Sequence, residues 1–492
     1  MPSKLERAPD PSEGSGDVVV RRHPAFLFVI GAYAATMLAW SLLRHHHYGS
    51  GVDLGAYDSV FWNLAHRGTP YNGIERVHQW SNHLELGLVW LGIPYLLYAS
   101  PVWLLITQTL AVAAAAFPIE ALARRITGDR LISALASLAM LLTPQLLLAE
   151  LADFHAATLC VLPMAILAWG IEVDSRRTVA LAALAAVSLR EQMGLLLVAA
   201  AVAWVIRHGK RRAFEAGALA LGGLGFFFLA VKWAIPAFGS GQSFRYMTQY
   251  NRLGGTADGV LTTATSGPLA FLAMAFQGDR KLFALSIASG ALPLLFLSLR
   301  SIRRAAWPLL LAAPLLAVQL YSDDPAKWSI HSHYGAPLVP LFAVAAVLAL
   351  AFLPARGDAR AIVAASWLSL VLIHDTLEVP SIRGPGSAID AGFSRSPRAA
   401  ALGAAILAVP KEASISAQEN VVPHVSRRVD IHAFPDGEAS DDYILLDRQG
   451  AARRPGGEQA VDLAIARLKE ASDMKVLVDD AGVVLFKRTF PR

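Results

Sequence analysis

The feature that most constrains this chain is an alternation. Apolar blocks long enough to cross a bilayer are separated by short clusters of Lys and Arg. A hydrocarbon core takes about 20 consecutive apolar residues as a helix, and basic residues beside such helices set their orientation. The pattern predicts a mainly α, polytopic membrane protein. Composition agrees: 55% of the 492 residues are hydrophobic and 16% charged, whereas a soluble domain carries about a quarter charged residues. The net charge of +5 therefore belongs to helix orientation, and no nucleic-acid partner is expected. The lone cysteine, Cys160, lies in an apolar block, so no disulfide forms within the chain.

Placing every basic cluster in the cytoplasm threads the chain. Arg21-Arg22, Arg124-Arg125, Arg176-Arg177, Lys210-Arg211-Arg212, Arg303-Arg304 and Arg356 with Arg360 all flank apolar blocks. Segments 44–100, 150–156, 236–280, 322–333 and everything after about 377 then lie outside. Leu84–Tyr98 is short and broken by Pro94, and reads as interfacial or re-entrant. Thr178–Ile206 must cross twice, as a short helical pair with Arg190-Glu191 near its outer tip. The total is about 11 spans, with the N-terminus in and the C-terminus out. Residues 1–22 are expected to form a disordered cytoplasmic tail, residues 23–377 the transmembrane domain with first outer loop 44–100, and residues 378–492 a small extracytoplasmic α/β domain. In the last segment ASISA, YILLD, KVLVD and VVLFK read as strands, with a helix marked by Val461, Ala464, Ile465 and Leu468. No Walker or dinucleotide glycine loop occurs, which argues against an ATP-driven pump.

Polar clusters fall on the outer side. In Asp53-Leu54-Gly55-Ala56-Tyr57-Asp58, Asp53 reads as a helix N-cap, with Leu54, Tyr57, Phe61 and Leu64 on one apolar stripe and Asp58 off it. The alternative makes Asp53 or Asp58 a general base facing a cavity. His83 and Glu85 follow on the same loop. Asp153 and His155 occupy a very short outer turn, Arg190-Glu191 a helix tip, and Lys327, His331, His333 and Tyr334 another outer segment; Arg245 is a further outer-side cation. Each is ordinary alone. Their convergence on one face, under a topology drawn only from Lys and Arg, is the argument for a site.

The pieces DLGAYDSVFWNLAHRGTPY, WSNHLELGLVWLGIPYLLYASPVWLLITQTL, ADFHAATL, LREQ, SHYGAPLVPL, ISAQENVVPHVSRRVDIHAFPD and DDYILLD resemble, in order, the membrane-protein family called domain of unknown function 2079. That family carries no established activity. The layout is also similar to the GT-C class of membrane glycosyltransferases. This resemblance implies a polyprenyl-phosphate sugar donor and an Asp in the first outer loop, here Asp53 or Asp58, as base toward the acceptor. His83, Glu85, Asp153, His155, Arg190, Glu191, Arg245, Lys327, His331, His333 and Tyr334 would then bind substrate. A divalent metal held by Asp and His could share the work, although no spacing demands one. Two rival readings are a transporter or flippase, with the same residues lining a path, and a non-catalytic assembly protein.

Overall fold

The computed structural model describes residues 23–239, 245–289, 291, 305–353, 358–378, 396–450 and 457–489. The protein is mostly helical. Among the described residues four helices are long and apolar enough to cross a membrane: Pro24–His46 (α1), Val102–Thr127, Lys210–Phe238 and His333–Leu350. A fifth span is counted if Arg130–Leu141 and Pro144–Leu151, bent by 54°, act as one. This is fewer than the eleven expected. The difference has a physical source: several apolar blocks fold as shorter helices, including Met193–His208, Trp307–Leu320 and Ala359–His374. Proline shortens or bends others, since it ends the hydrogen-bond ladder of the preceding turn. Pro144 opens the second arm of the bent pair.

The helices differ sharply in where they sit. Val339–Leu350, the main part of the last long span, is buried along its whole length and forms the axis of the bundle. Lys210–Phe238 buries little and presents apolar side chains such as Phe214, Leu221 and Trp233 outward, as a lipid-facing helix does. Arg176–Leu189 and Met193–His208 form the expected short pair, with Arg190-Glu191 between them. Leu86–Leu91 and Gly92–Leu97 are two short helical turns whose Val89, Trp90, Ile93, Leu96 and Leu97 face outward. That is the form of a segment lying along an interface.

After α1 comes helix α2, Val52–Arg67. A hairpin of β1 (Tyr71–Asn72) and β2 (Val77–His78) follows. Beyond residue 396 comes helix Pro397–Leu407, then strands β3 (Ile415–Ala417), β4 (Ile431–Ala433), β5 (Tyr443–Asp447), β6 (Met474–Asp480) and β7 (Val483–Arg488). Among the described residues they form one sheet in the order β4-β3-β5-β7-β6, parallel at β4-β3-β5 and antiparallel across β7. Helix Gly457–Glu470 covers one face through Val461, Ile465 and Leu468. The other face shares a core with α2 and the hairpin: Ala56 and Ile74 pack with Leu402, Val422, Ile431 and Leu485. Gly55 makes this approach tight, since a Cβ there would lie 2.6 Å from Val422 Cγ1.

Candidate active site on the outer loops

Helix α2 places two carboxylates five residues apart, about 140° around its axis, so they face different partners. Gly51, not Asp53, is the N-cap. Asp53 lies in the first turn, and Asp153 reaches across to accept from the Gly51 N–H at 2.8 and 3.0 Å. The N-cap expectation for Asp53 is thus corrected: the chain enters the helix two residues earlier than an Asp53 cap requires. Asp53 points instead at His155, with Oδ2 3.1 Å from Nε2, and its side chain keeps 46% exposure.

Asp58 faces the other way and is fully buried. It accepts from Tyr95 Oη at 2.8 Å and from Ser426 Oγ at 2.5 Å, with Arg427 Nε at 3.8 Å. The expectation that Asp58 faces a cavity is corrected, because the segment around Ser426 covers it. Burial pushes its carboxyl above the ordinary range against the pull of Arg427. Asp153 is likewise bound up, paired with Arg44 at 3.1 Å.

Around Asp53 the remaining residues form a continuous chain of contacts. His155 stacks on His333 with ring centroids 3.5 Å apart, and His333 lies against Tyr334 at 4.1 Å. Lys327 Nζ sits 3.7 Å from the centre of the Tyr334 ring and 5.8 Å from that of Tyr246. Tyr246 stacks on His83 at 4.6 Å, and His83 Nδ1 is 3.0 Å from Glu191 Oε1. Glu191 also accepts from the Leu84 N–H at 3.2 Å. Next to it, Arg190 donates to Glu85 at 2.9 Å, which in turn accepts from Tyr57 Oη at 2.9 Å and Gln79 at 3.0 Å.

His331 is exposed on the neighbouring turn, with its N–H donated to Ser329 Oγ. The Arg245 side chain lies outside the described residues. Sequence reasoning missed Tyr57, Gln79, Tyr246 and Gln108. The last accepts from the His155 N–H at 2.9 Å and so fixes that turn; a Gln inside an apolar helix was the available signal.

Electrostatics separate the roles. Burial, then the nearby Arg190 charge, brings the Lys327 ammonium down to about 7. The same two causes bring His83 down to about 4 against the pull of Glu191, to which its Nδ1–H donates. Burial raises Glu85, with Arg190 opposing. Arg190 Nε–H is buried and has no hydrogen-bond partner among the described residues, an unspent donor of the kind that anions satisfy.

His155 carries its own proton ledger. Its Nδ1 lies 2.9 Å from the Asp153 carbonyl, which can only accept, so Nδ1 holds a hydrogen. Nε2 is then the ring atom that faces Asp53 Oδ2, and a proton between them makes the hydrogen bond. Among the described residues no three His, Cys, Asp or Glu side chains converge as a metal site.

The fold has solved counterparts. The crystal structure of ArnT from Cupriavidus metallidurans bound to undecaprenyl phosphate superposes with a TM-score of 0.54 at 14% identity, covering 94% of this chain and 98% of that one. The apo state of ArnT gives 0.54 and 14%, covering 94% and 97%. At this identity the likeness is one of fold alone. No curated protein matches the sequence. The family of predicted membrane proteins called DUF2079 matches residues 45–485, nearly the whole chain and all of the site above, and the protein belongs to it.

Proposed function

We propose that the protein is a GT-C-like glycosyltransferase that moves a sugar from a polyprenyl-phosphate donor to an acceptor hydroxyl at the outer face of the membrane. The observation that carries this reading is the single contact chain from the half-exposed Asp53 through His155, His333 and Tyr334 to Lys327, beside Arg190. It sets a proton acceptor and two cations at one place on the outer loops. The likeness of fold to a protein crystallised with undecaprenyl phosphate supports it. In this reading 378–492 lies outside with the outer loops, the N-terminus is cytoplasmic, and the shorter apolar helices complete the crossings.

The chemistry runs as follows. The acceptor oxygen attacks the anomeric carbon while its proton passes to Asp53, where His155 Nε2 shares it. The bond from the anomeric carbon to the phosphate oxygen breaks, and the phosphate leaves with the electron pair. Developing negative charge there needs preorganised donors in a dry site; Lys327 Nζ and Arg190 Nε–H are the ones available. Glu85 and Glu191 position these groups by pairing with Arg190 and His83. Asp58 has a different part: it ties α2 to the segment around Ser426. A positioned general base contributes about 10²–10⁴ in rate, so Asp53→Asn is expected to abolish transfer to a comparable degree while the protein still folds. The comparison to make is the glycolipid and surface-polymer profile of cells carrying Asp53→Asn against wild type. Identical profiles would remove the main support for the reading.

A further inference from the structure

Asp53 faces two ways. Its Oδ2 meets His155 on the bundle side, but the residue also lines a cleft of about 560 Å³ on the other side, with Glu75, Arg76, His432 and Asp436. A second cavity of about 270 Å³ adjoins the first and shares Arg76 and His432 with it; Arg67 and Asp430 complete its charged lining. The two adjoin between the hairpin and strand β4 as one channel, with Asp53 in the larger cavity and Arg67 in the smaller. The combined space is of the size that small-molecule sites occupy. We infer that this channel is the acceptor site, and that the acceptor is a saccharide bearing an anionic group, either carboxylate or phosphate. The inference rests on the transferase reading and adds to it the side of entry and the class of acceptor.

Charge divides the channel. The outer cavity has two guanidinium groups against one carboxylate, and planar guanidinium forks match carboxylate and phosphate oxygens. The inner cleft shares Arg76 but sets three carboxylates, Asp53, Glu75 and Asp436, against it, and these accept hydrogen bonds from sugar hydroxyls. An acceptor held by its anion at Arg67 and Arg76 would extend its hydroxyls toward Asp53.

The channel is also built, in ways its own stability does not require. Arg76 has φ 57°, a left-handed conformation that is strained for a non-glycine residue and clusters at ligand sites. His432 Nδ1 is 2.7 Å from Asp441 Oδ2. That carboxylate holds the Nδ1–H and leaves Nε2 to accept from a ligand hydroxyl. Gly437, with φ +77°, closes over this pair so tightly that a Cβ would lie 2.6 Å from His432 Nδ1. The hairpin approaches equally closely, since a Cβ at Gly73 would lie 2.9 Å from Ile431 Cγ2.

The test uses the full chain in lipid nanodiscs, with glucuronate, glucose phosphate and glucose as probes for saturation-transfer NMR, and undecaprenyl phosphate binding measured in parallel. Glucuronate or glucose phosphate is expected to bind wild type at least tenfold more tightly than glucose; which of them binds more tightly identifies the anion. Arg67→Gln combined with Arg76→Gln should weaken that binding at least tenfold, and His432→Gln should weaken it separately. Arg67 and Arg76 are exposed, so these substitutions leave the core intact, and undecaprenyl phosphate should bind the double variant as it binds wild type. Binding of both glucuronate and glucose phosphate no tighter than that of glucose, or binding of the tighter anion indifferent to the arginine substitutions, overturns the acceptor class while the donor side stands. Failure of wild type to bind undecaprenyl phosphate, with glucuronate still bound, overturns the transferase reading and the acceptor role with it.

Discussion

Asp58 shows how two identical side chains on one helix acquire opposite duties. Both of its hydrogen-bond partners, Tyr95 Oη and Ser426 Oγ, donate to it. An amide in its place offers one acceptor oxygen and one donor NH2, so one buried hydroxyl meets a donor. Leaving a buried polar group unsatisfied costs about 1–3 kcal/mol. Asp58→Asn is therefore expected to lower the thermal midpoint of the purified protein, whereas Asp53→Asn, at a half-exposed position, should leave the midpoint nearly unchanged and act on turnover. Lys327 carries a pH dependence of definite sign. Its ammonium titrates at about 7, and a bound phosphate favours the charged form. Above that pH, binding must take up a proton, so affinity for undecaprenyl phosphate should fall by at most about tenfold per pH unit between about pH 7 and 9. An arginine stays protonated throughout. Lys327→Arg should flatten this profile in a binding titration, and a slope that survives the substitution would assign the titration to another group.

The helical elements depend on close backbone approach as much as on apolar bulk. Met193–His208 packs against Ala213–Leu229 at Gly194 and Gly223, where a Cβ on Gly194 would lie 2.4 Å from the Gly223 carbonyl oxygen. Small residues at such crossings let helices in lipid gain van der Waals contact. Gly194→Ala should cost about 1–3 kcal/mol by overpacking, read as a lowered unfolding midpoint in detergent. Gly217 lies on the same helix as Gly223, and nothing comes within 4 Å of a Cβ there. Gly217→Ala is the control and should be neutral or slightly stabilising. The pair Arg190-Glu191 belongs to this scale as well. It closes a short helical hairpin, and each side chain reaches a residue more than 100 positions away, so the hairpin and the first outer loop hold each other in register.

At the scale of the molecule, the outer loops and the segment beyond residue 396 form one packed body over the helices, joined by Ala56, Ile74 and Asp58. Topology is tested there. In a Cys160→Ser background, Lys411→Cys should react with a membrane-impermeant maleimide in intact cells, while Lys210→Cys should react only after permeabilisation; the reverse pattern would invert the orientation proposed here. Much of this was legible in the sequence. Apolar block length and the placement of Lys and Arg reveal a helical membrane protein and bring Asp53, His83, His155, Arg190, Glu191, Lys327 and His333 to one face, because bilayer thickness and charge position act through local composition. The strands YILLD and VVLFK were readable for a similar reason, their apolar runs being bounded by turns; β4, only three residues long, was not. Tertiary structure alone decided which carboxylate faces the cluster. The two lie about 140° apart on α2, and which side is covered depends on Ser426, 368 positions along the chain from Asp58. No local pattern contains that partner. The channel along Arg76 and His432 is likewise the product of two distant segments meeting, and it exists only where the hairpin and strand β4 pack together.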